Sequence, residues 1–66
     1  MKAESLLKKA VLLMPRDPIV NDHFADCLWK NNQKIQARYY WNYVLKLEDT
    51  EEELKNSIKK KLILGL

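Results

Sequence analysis

Apolar residues recur at intervals of three and four along most of the chain, which is the spacing of one face of an α-helix. The first run predicts a helix over about Lys2 to Met14. Pro15 ends this helix, because proline lacks the N–H that the helical ladder requires. A second helix is predicted to begin at Pro18, with Asp17 as its N-cap, because proline is well tolerated at the first helical position.

Residues typical of helix ends and helix starts predict two more helices in the second half of the chain. The second helix is predicted to end near Asn31-Asn32, since asparagine tolerates the left-handed conformation common at helix ends. A third helix is predicted over residues 34–47. Thr50 and Glu53 have the spacing of a capping box, so a fourth helix is predicted to begin at Glu51. We therefore predict an all-α fold of four helices.

The helical spacing also predicts which side chains form the core. Trp41 and Tyr40 are expected to fill the space between helices. Tyr39 and Tyr43 are expected on a more exposed flank, with their hydroxyl groups in water. The predicted core residues are Ala3, Leu7, Ala10, Phe24, Ala25, Cys27, Leu28, Ala37, Trp41, Val44, Leu54, Ile58 and Leu62.

The two halves of the chain are related by a shift of 34 residues. The shift places the first helix on the third and the second helix on the fourth, with the apolar positions in the same phase. Leu7 falls on Trp41, for example, and Leu28 falls on Leu62. A period of this length is typical of a helix–turn–helix repeat.

The alternation of small and large side chains within residues 17–49 has the order of a known repeat. Phe24 and Ala25 stand where Leu-Gly is usual, Cys27 stands at a small position, and Leu28 stands where tyrosine is usual. The small, large and small positions of the next helix are occupied by Ala37, Trp41 and Val44. On these residues the chain resembles the tetratricopeptide repeat family.

Some positions that are characteristic of the family carry the usual residue in this chain, and others do not. Pro15 matches the proline that closes a repeat, whereas Asp49 replaces that proline at the end of the next repeat and Asn32 replaces the usual turn glycine. The resemblance implies stacked antiparallel helical hairpins, as in a piece of an α-solenoid, within a single domain over residues 1–66. Its implied parts are the second helix of a partial repeat (1–14), one full repeat (17–49) and a C-terminal capping helix (50–66).

The resemblance implies a non-enzymatic scaffold whose concave face receives a peptide or a partner's helix. Carried onto this chain, the groove-facing positions are Ile19, Asp22, Asp26, Trp29 and Lys30. Trp29 is either an anchor for a partner, since tryptophan is common in binding hot spots, or a cover for the end of the first or third helix. Asp22 and Asp26 would repel a terminal carboxylate, which favours a neutral or basic partner segment.

The first helix has no preceding helix to cover its outer side. Exposed apolar area of this kind usually marks an interface, so we predict self-association through Leu6, Val11, Leu12 and Met14. Two explanations stay open: the chain is the end of a longer repeat array, or two copies bury these surfaces together as a homo-oligomer.

Composition excludes several kinds of stabilisation and chemistry. In 66 residues there is one cysteine, Cys27, and one histidine, His23, so neither an internal disulfide nor a zinc site is predicted. A catalytic pair of these two residues is rejected, because Cys27 belongs to the apolar stripe and His23 does not. No metal, cofactor or enzymatic activity is predicted.

Charge leaves one rival function open. The net charge is +3, and a lysine-rich surface could bind nucleic acid as a small basic helical protein. This alternative is disfavoured, because glutamates interleave the lysines and the lysines are divided between the two ends of the chain. They are Lys8, Lys9, Lys55, Lys59, Lys60 and Lys61. Lysines also interrupt the apolar run that a signal peptide or membrane span would need, so we expect no membrane contact and a cytoplasmic location.

Overall fold

The computed structural model of the protein describes the backbone of residues 2–66 and the side chains of residues 4–66. This part of the chain folds into four α-helices and contains no strand, which confirms the all-α prediction. The predicted core residue Ala3 lies outside the described side chains. Helix α2 packs most extensively on α3, while α1 packs on α2 and α4 packs on α3. The helices are α1 (Lys2–Leu13), α2 (Pro18–Lys30), α3 (Lys34–Lys46) and α4 (Glu52–Leu64).

Helix α2 begins where the sequence predicts. The Asp17 carboxylate accepts hydrogen bonds from the backbone N–H groups of Ile19 (2.9 Å) and Val20 (3.0 Å), and Pro18 occupies the first helical position. These bonds satisfy donors that the first turn of a helix leaves free. The N-cap prediction for Asp17 is confirmed.

The turn between α1 and α2 is tied to the two central helices through the carbonyl oxygen of Pro15. Asn21 Nδ2 of α2 donates to this oxygen (3.1 Å), and so does the Tyr43 hydroxyl of α3 (3.1 Å). The Tyr43 hydroxyl, expected in water on an exposed flank, therefore also bonds to the protein. A buried Asn21 and a half-buried Tyr43 fix the turn in place.

Helix α2 ends at a turn that requires a left-handed residue, and Asn32 provides it with φ of 66°. The reversal lets the Gln33 N–H donate to the Leu28 carbonyl (2.8 Å), which satisfies an acceptor at the helix end. Asn31 Nδ2 and Gln33 Nε2 both donate to Glu4 Oε1, at 3.2 Å and 3.0 Å. The predicted turn is confirmed, and Glu4 joins it to α1.

One core cluster lies between α1, α2 and α3. Phe24, Leu28 and Ala37 are buried at its centre, and Leu7 and Val11 of α1 pack against them. A methyl-sized side chain at Ala37 allows α3 to approach the large side chains of α2 closely. The inner side of α1 is therefore held by apolar contacts.

The second core cluster joins α2, α3 and α4. Ala25, Trp41, Val44 and Ile58 are fully buried in it. Five predicted core residues are only half-buried: Leu7, Ala10, Cys27, Leu54 and Leu62. Of these, Leu7 packs against the first cluster, and Leu54 and Leu62 pack against the second.

The aromatic side chains of α3 differ in how deeply they are buried. Trp41 is fully buried. The half-buried Tyr40 ring meets Phe24 edge to face, with centroids 4.9 Å apart, and the exposed Tyr39 ring lies against Tyr40 at 5.3 Å. Their proximity along the chain reflects packing on successive sides of one helix, with Tyr39 outermost as predicted.

The predicted capping box at the start of α4 does not form. Thr50 is buried, and its hydroxyl donates to the Val44 carbonyl (2.7 Å) at the end of α3 instead of accepting from Glu53. Glu51 occupies the N-cap position without a side-chain bond, and the helix begins at Glu52. The Val44 carbonyl also accepts from the Leu47 N–H (3.2 Å), and the Thr50 hydroxyl uses the second acceptor position of the same oxygen. This bond holds the Thr50 side chain against the end of α3 rather than over the first turn of α4.

Candidate functional site

The predicted concave surface of α2 is closed in the middle and open at its ends. Asp22 is 7% exposed, and Asp26 and Trp29 are half-buried. Ile19 and Lys30, at the two ends of the helix, are exposed. The five residues therefore do not form one continuous open groove.

An ammonium group from α4 occupies the middle of this surface. Lys61 Nζ donates to Asp22 Oδ1 (3.0 Å) and to both carboxylate oxygens of Asp26 (3.0 and 3.1 Å). Trp41 Nε1 donates to Asp26 Oδ1 (3.1 Å). We call these four residues the Lys61 cluster, and it ties α4 to both α2 and α3.

The Lys61 cluster favours the charged form of its lysine. Burial of the ammonium opposes ionisation, but hydrogen bonds to Asp22 and Asp26 and the negative charge of both carboxylates outweigh it. Together they raise the pKa of Lys61 above its ordinary value of 10.5. The ion pairs are thus fully formed at neutral pH.

Asp22 and Asp26 were predicted to face a partner, and this placement is corrected by their contacts with Lys61. The physical reason is that two carboxylates one helical turn apart need a counter-charge when a neighbouring helix covers them. From the sequence, Lys61 was considered only as one of the lysines that could bind nucleic acid. Its position three residues after Ile58 places it beside the apolar stripe, and that spacing is the signal that could have identified it.

Trp29 is held by contacts within the protein. Its ring lies 5.4 Å from that of Trp41, with the Lys34 ammonium and the Arg38 guanidinium 5.1 Å and 5.7 Å from its centroid. Gly65 crosses the ring so closely that a Cβ there would lie 2.5 Å from a ring carbon. These contacts favour the packing role for Trp29, as a cover for α3 and the end of α4.

The outer face of α1, by contrast, is uncovered. Leu6, Leu12 and Leu13 are 66%, 72% and 82% exposed, and Met14, just after the helix, is 51% exposed. Val11, predicted for the same surface, points instead into the cluster around Phe24. That part of the self-association prediction is wrong, because Val11 lies on the side of the helix that faces α2.

Two lysines interrupt this apolar surface. Lys8 and Lys9 are exposed, and at 100° per residue they fall among the exposed leucines. We define the outer face of α1 as Leu6, Lys8, Lys9, Leu12 and Leu13. It combines three large apolar side chains with two positive charges.

A groove of opposite charge lies between the starts of α2 and α4. Its volume is about 450 Å³, and Pro18, Ile19 and Leu54 form the apolar part of its lining. Four carboxylates surround them. We call this surface, lined by Asp17, Pro18, Ile19, Asp49, Glu51, Glu53 and Leu54, the acidic groove.

The residue types usual in catalysis are not assembled into a site in the described part of the chain. His23 is exposed, and the half-buried Cys27 sulfur accepts a long hydrogen bond from Asn31 Nδ2 (3.8 Å). Among the described residues, no group of three or more His, Cys, Asp or Glu side chains is arranged to hold a metal ion.

None of the four described helices combines the length and the apolar character needed to span a bilayer.

No family model, curated protein or solved structure matches this chain.

Proposed function

We propose that the chain is a non-enzymatic protein–protein interaction module of the tetratricopeptide type. It binds a second polypeptide, which is either a protein partner or another copy of itself, through the outer face of α1. No cofactor takes part in this function.

The exposure of large apolar side chains on α1 is the observation that carries this proposal. Leu6, Leu12 and Leu13 lie on one helix and are each at least 66% exposed. Burying a leucine side chain is worth about 1.5–3 kcal/mol, so covering three of them favours association substantially. Exposed large apolar side chains grouped on one face of a helix in a small domain, here with Lys8 and Lys9 among them, are typical of an interface.

The seating of large side chains against small ones supports the tetratricopeptide type. Ala25 and Ala37 are fully buried, each in a cluster with a large partner, Trp41 or Phe24. These are the small and large positions on which the family resemblance rests. A free thiol at Cys27 fits a reducing compartment, so we place the protein in the cytoplasm.

Nucleic-acid binding gains no support from the contacts of the lysines. Lys61, one of the six candidate lysines, is committed to Asp22 and Asp26. Lys8 and Lys9 lie on α1 and Lys59 and Lys60 lie on α4, so the exposed lysines remain divided between two helices.

Site-specific crosslinking tests the proposal directly. Leu13→p-benzoylphenylalanine places a photoreactive group on the outer face of α1, and the same substitution at Ile35 is the matched control. Ile35 is a similarly exposed apolar residue, on α3. Irradiation in cells should give a discrete crosslinked polypeptide from position 13 and a much weaker one from position 35.

The mass of the adduct distinguishes the two kinds of partner. An adduct of about twice the mass of the chain indicates a second copy, and any other discrete mass indicates a different protein. If position 13 crosslinks no better than position 35, the outer face of α1 is not a protein interface and the proposed function is refuted.

A further inference from the structure

Opposite charges are concentrated in two separate parts of the chain. Residues 1–16 contain four basic residues and one acidic residue, whereas residues 48–53 contain five acidic residues and no basic residue. The first segment includes the outer face of α1, and the second contributes three carboxylates to the acidic groove. Each surface also has exposed apolar side chains. They are therefore complementary in both charge and chemistry.

We propose that the acidic groove of one copy binds the outer face of α1 from a second copy, in a reciprocal two-fold dimer. This inference rests on the proposed function and names both the partner and the surface that it contacts. Leu12 and Leu13 of one chain cover Ile19 and Leu54 of the other, and the lysines of α1 meet the carboxylates at the rim of the groove.

The position of the two surfaces supports a reciprocal contact. The end of α1, with Leu12 and Leu13, is joined to Asp17 and Ile19 of the groove by the turn between α1 and α2, where the Asp17 N–H donates to the Met14 carbonyl (3.1 Å). This turn is fixed through Pro15, whose carbonyl accepts hydrogen bonds from Asn21 and Tyr43. Because each copy carries both the face and the groove, the two contacts can form together in one closed two-fold dimer.

Charge and apolar burial have different roles in this dimer. Exposed ion pairs contribute little to affinity, and their contribution weakens with salt. The apolar contact of Leu12 and Leu13 with Ile19 supplies most of the affinity. The lysines and carboxylates set the orientation, so the dissociation constant should rise several-fold between low and high salt.

Charge reversal in the groove is the first arm of the test. Asp49→Lys with Glu53→Lys replaces two groove carboxylates, and Glu48→Lys with Glu52→Lys is the matched control. The control residues are neighbours in sequence and are exposed, but they do not line the groove. Both variants change the net charge and the first turn of α4 equally. Sedimentation equilibrium should show dimerisation weakened about tenfold or more by the groove variant, and much less by the control.

Charge reversal on α1 is the second arm. Lys8→Glu with Lys9→Glu should weaken self-association to a similar extent, while Lys59→Glu with Lys60→Glu on α4 should weaken it much less. Mixing the α1 variant with the groove variant should restore a one-to-one dimer, because each face then meets a groove of opposite charge. Far-UV circular dichroism checks that each variant keeps its helicity. A variant that loses helicity is replaced by its neutral counterpart. The counterparts are Asp49→Asn with Glu53→Gln for the groove and Lys8→Gln with Lys9→Gln for α1.

Several outcomes would overturn the inference. They are a wild-type chain that stays monomeric at high concentration, a control that weakens association as much as the groove variant, or a mixture that does not re-form the dimer. Crosslinking from position 13 to a different protein alone would refute the self-docking and leave the proposed function standing. Absence of any crosslink from position 13 would refute both the self-docking and the proposed function.

Discussion

Lys61→Met removes the ammonium that joins α4 to α2 while keeping a side chain of similar length. Asp22 and Asp26 are then left beside each other without a counter-charge, because Lys61 forms both of their ion pairs. In the variant, Asp26 keeps the hydrogen bond from Trp41 Nε1 (3.1 Å). The Asp22 carboxylate loses its hydrogen bond from Lys61 and has no second side-chain donor among the described residues. We expect the variant to fold with reduced stability.

The burial of the three side chains sets the size of this loss. Removing one partner of a fully buried ion pair costs about 3–5 kcal/mol. Here the side chains of Lys61, Asp22 and Asp26 are 16%, 10% and 27% exposed, so water partly solvates the carboxylates in the variant. We therefore expect Lys61→Met to lower the free energy of unfolding by about 2 kcal/mol. For a domain of this size that corresponds to a fall in the melting temperature of roughly 8–16 °C.

Urea denaturation followed by circular dichroism measures the effect, with Lys60→Met as the matched control. Lys60 is the preceding residue of α4 and is exposed, so its replacement changes the charge without breaking an ion pair. All samples are compared at one protein concentration, because self-association would make stability depend on concentration. The variant at position 61 should unfold at a clearly lower urea concentration than the control.

The pH dependence gives a second measurement with a defined sign. The pKa of Lys61 is raised in the folded protein above its ordinary value of 10.5. Between these two values the unfolded chain releases a proton that the folded chain keeps, so this contribution to stability falls as pH rises. The stability difference between wild type and Lys61→Met should be constant from pH 7 to about 9.5 and shrink above about 10.5.

Two results would refute the reasoning. One is a variant at position 61 that is as stable as Lys60→Met at neutral pH. The other is a stability difference that grows with pH above 10.5. Either result would mean that the ammonium does not hold α4 on α2, and that apolar packing around Ile58 is sufficient.

Two further substitutions test local packing. Gly65→Ala places a Cβ 2.5 Å from the Trp29 ring at a residue with φ of 79°, so we expect a loss of about 1–3 kcal/mol and a change in tryptophan fluorescence. Thr50→Val keeps the shape but removes one of the two hydrogen bonds to the Val44 carbonyl, which keeps the bond from the Leu47 N–H, so thermal denaturation should show a loss of about 0.5–1.5 kcal/mol. Unchanged stability in either variant would contradict the contact concerned.

The helices and their turns could be predicted because their signals are local. Asp17 and Pro18 determine the start of α2 through the backbone of its first turn, and Asn32 determines its end through a single left-handed residue. The spacing of Ala37, Trp41 and Val44 along one helix predicts their burial, since these positions share one side of α3. None of these inferences requires knowledge of how the helices are arranged in space.

Thr50 and Val11 were predicted wrongly for different reasons. The spacing of Thr50 and Glu53 fits a capping box, but the Val44 carbonyl at the end of α3 takes the Thr50 hydroxyl, and a pattern along the chain does not encode this tertiary contact. Val11 lies one helical turn after Leu7, and both side chains pack against the cluster around Phe24. Their spacing on α1 was the local signal that the self-association prediction overlooked.

The polar residues of α2 explain why the predicted binding surface moved. In a stack of helices, an aspartate on the side of one helix faces either solvent or the next helix, and the sequence of that helix alone looks the same in both cases. Whether the aspartate is buried against the next helix depends on whether that helix places a cation opposite its carboxylate. Lys61 does so for Asp22 and Asp26, whereas no cation lines the groove beside Asp17, Asp49, Glu51 and Glu53. The acidity that α4 neutralises in the middle of α2 is therefore left available at its N-terminal end, where a basic face from another chain can meet it.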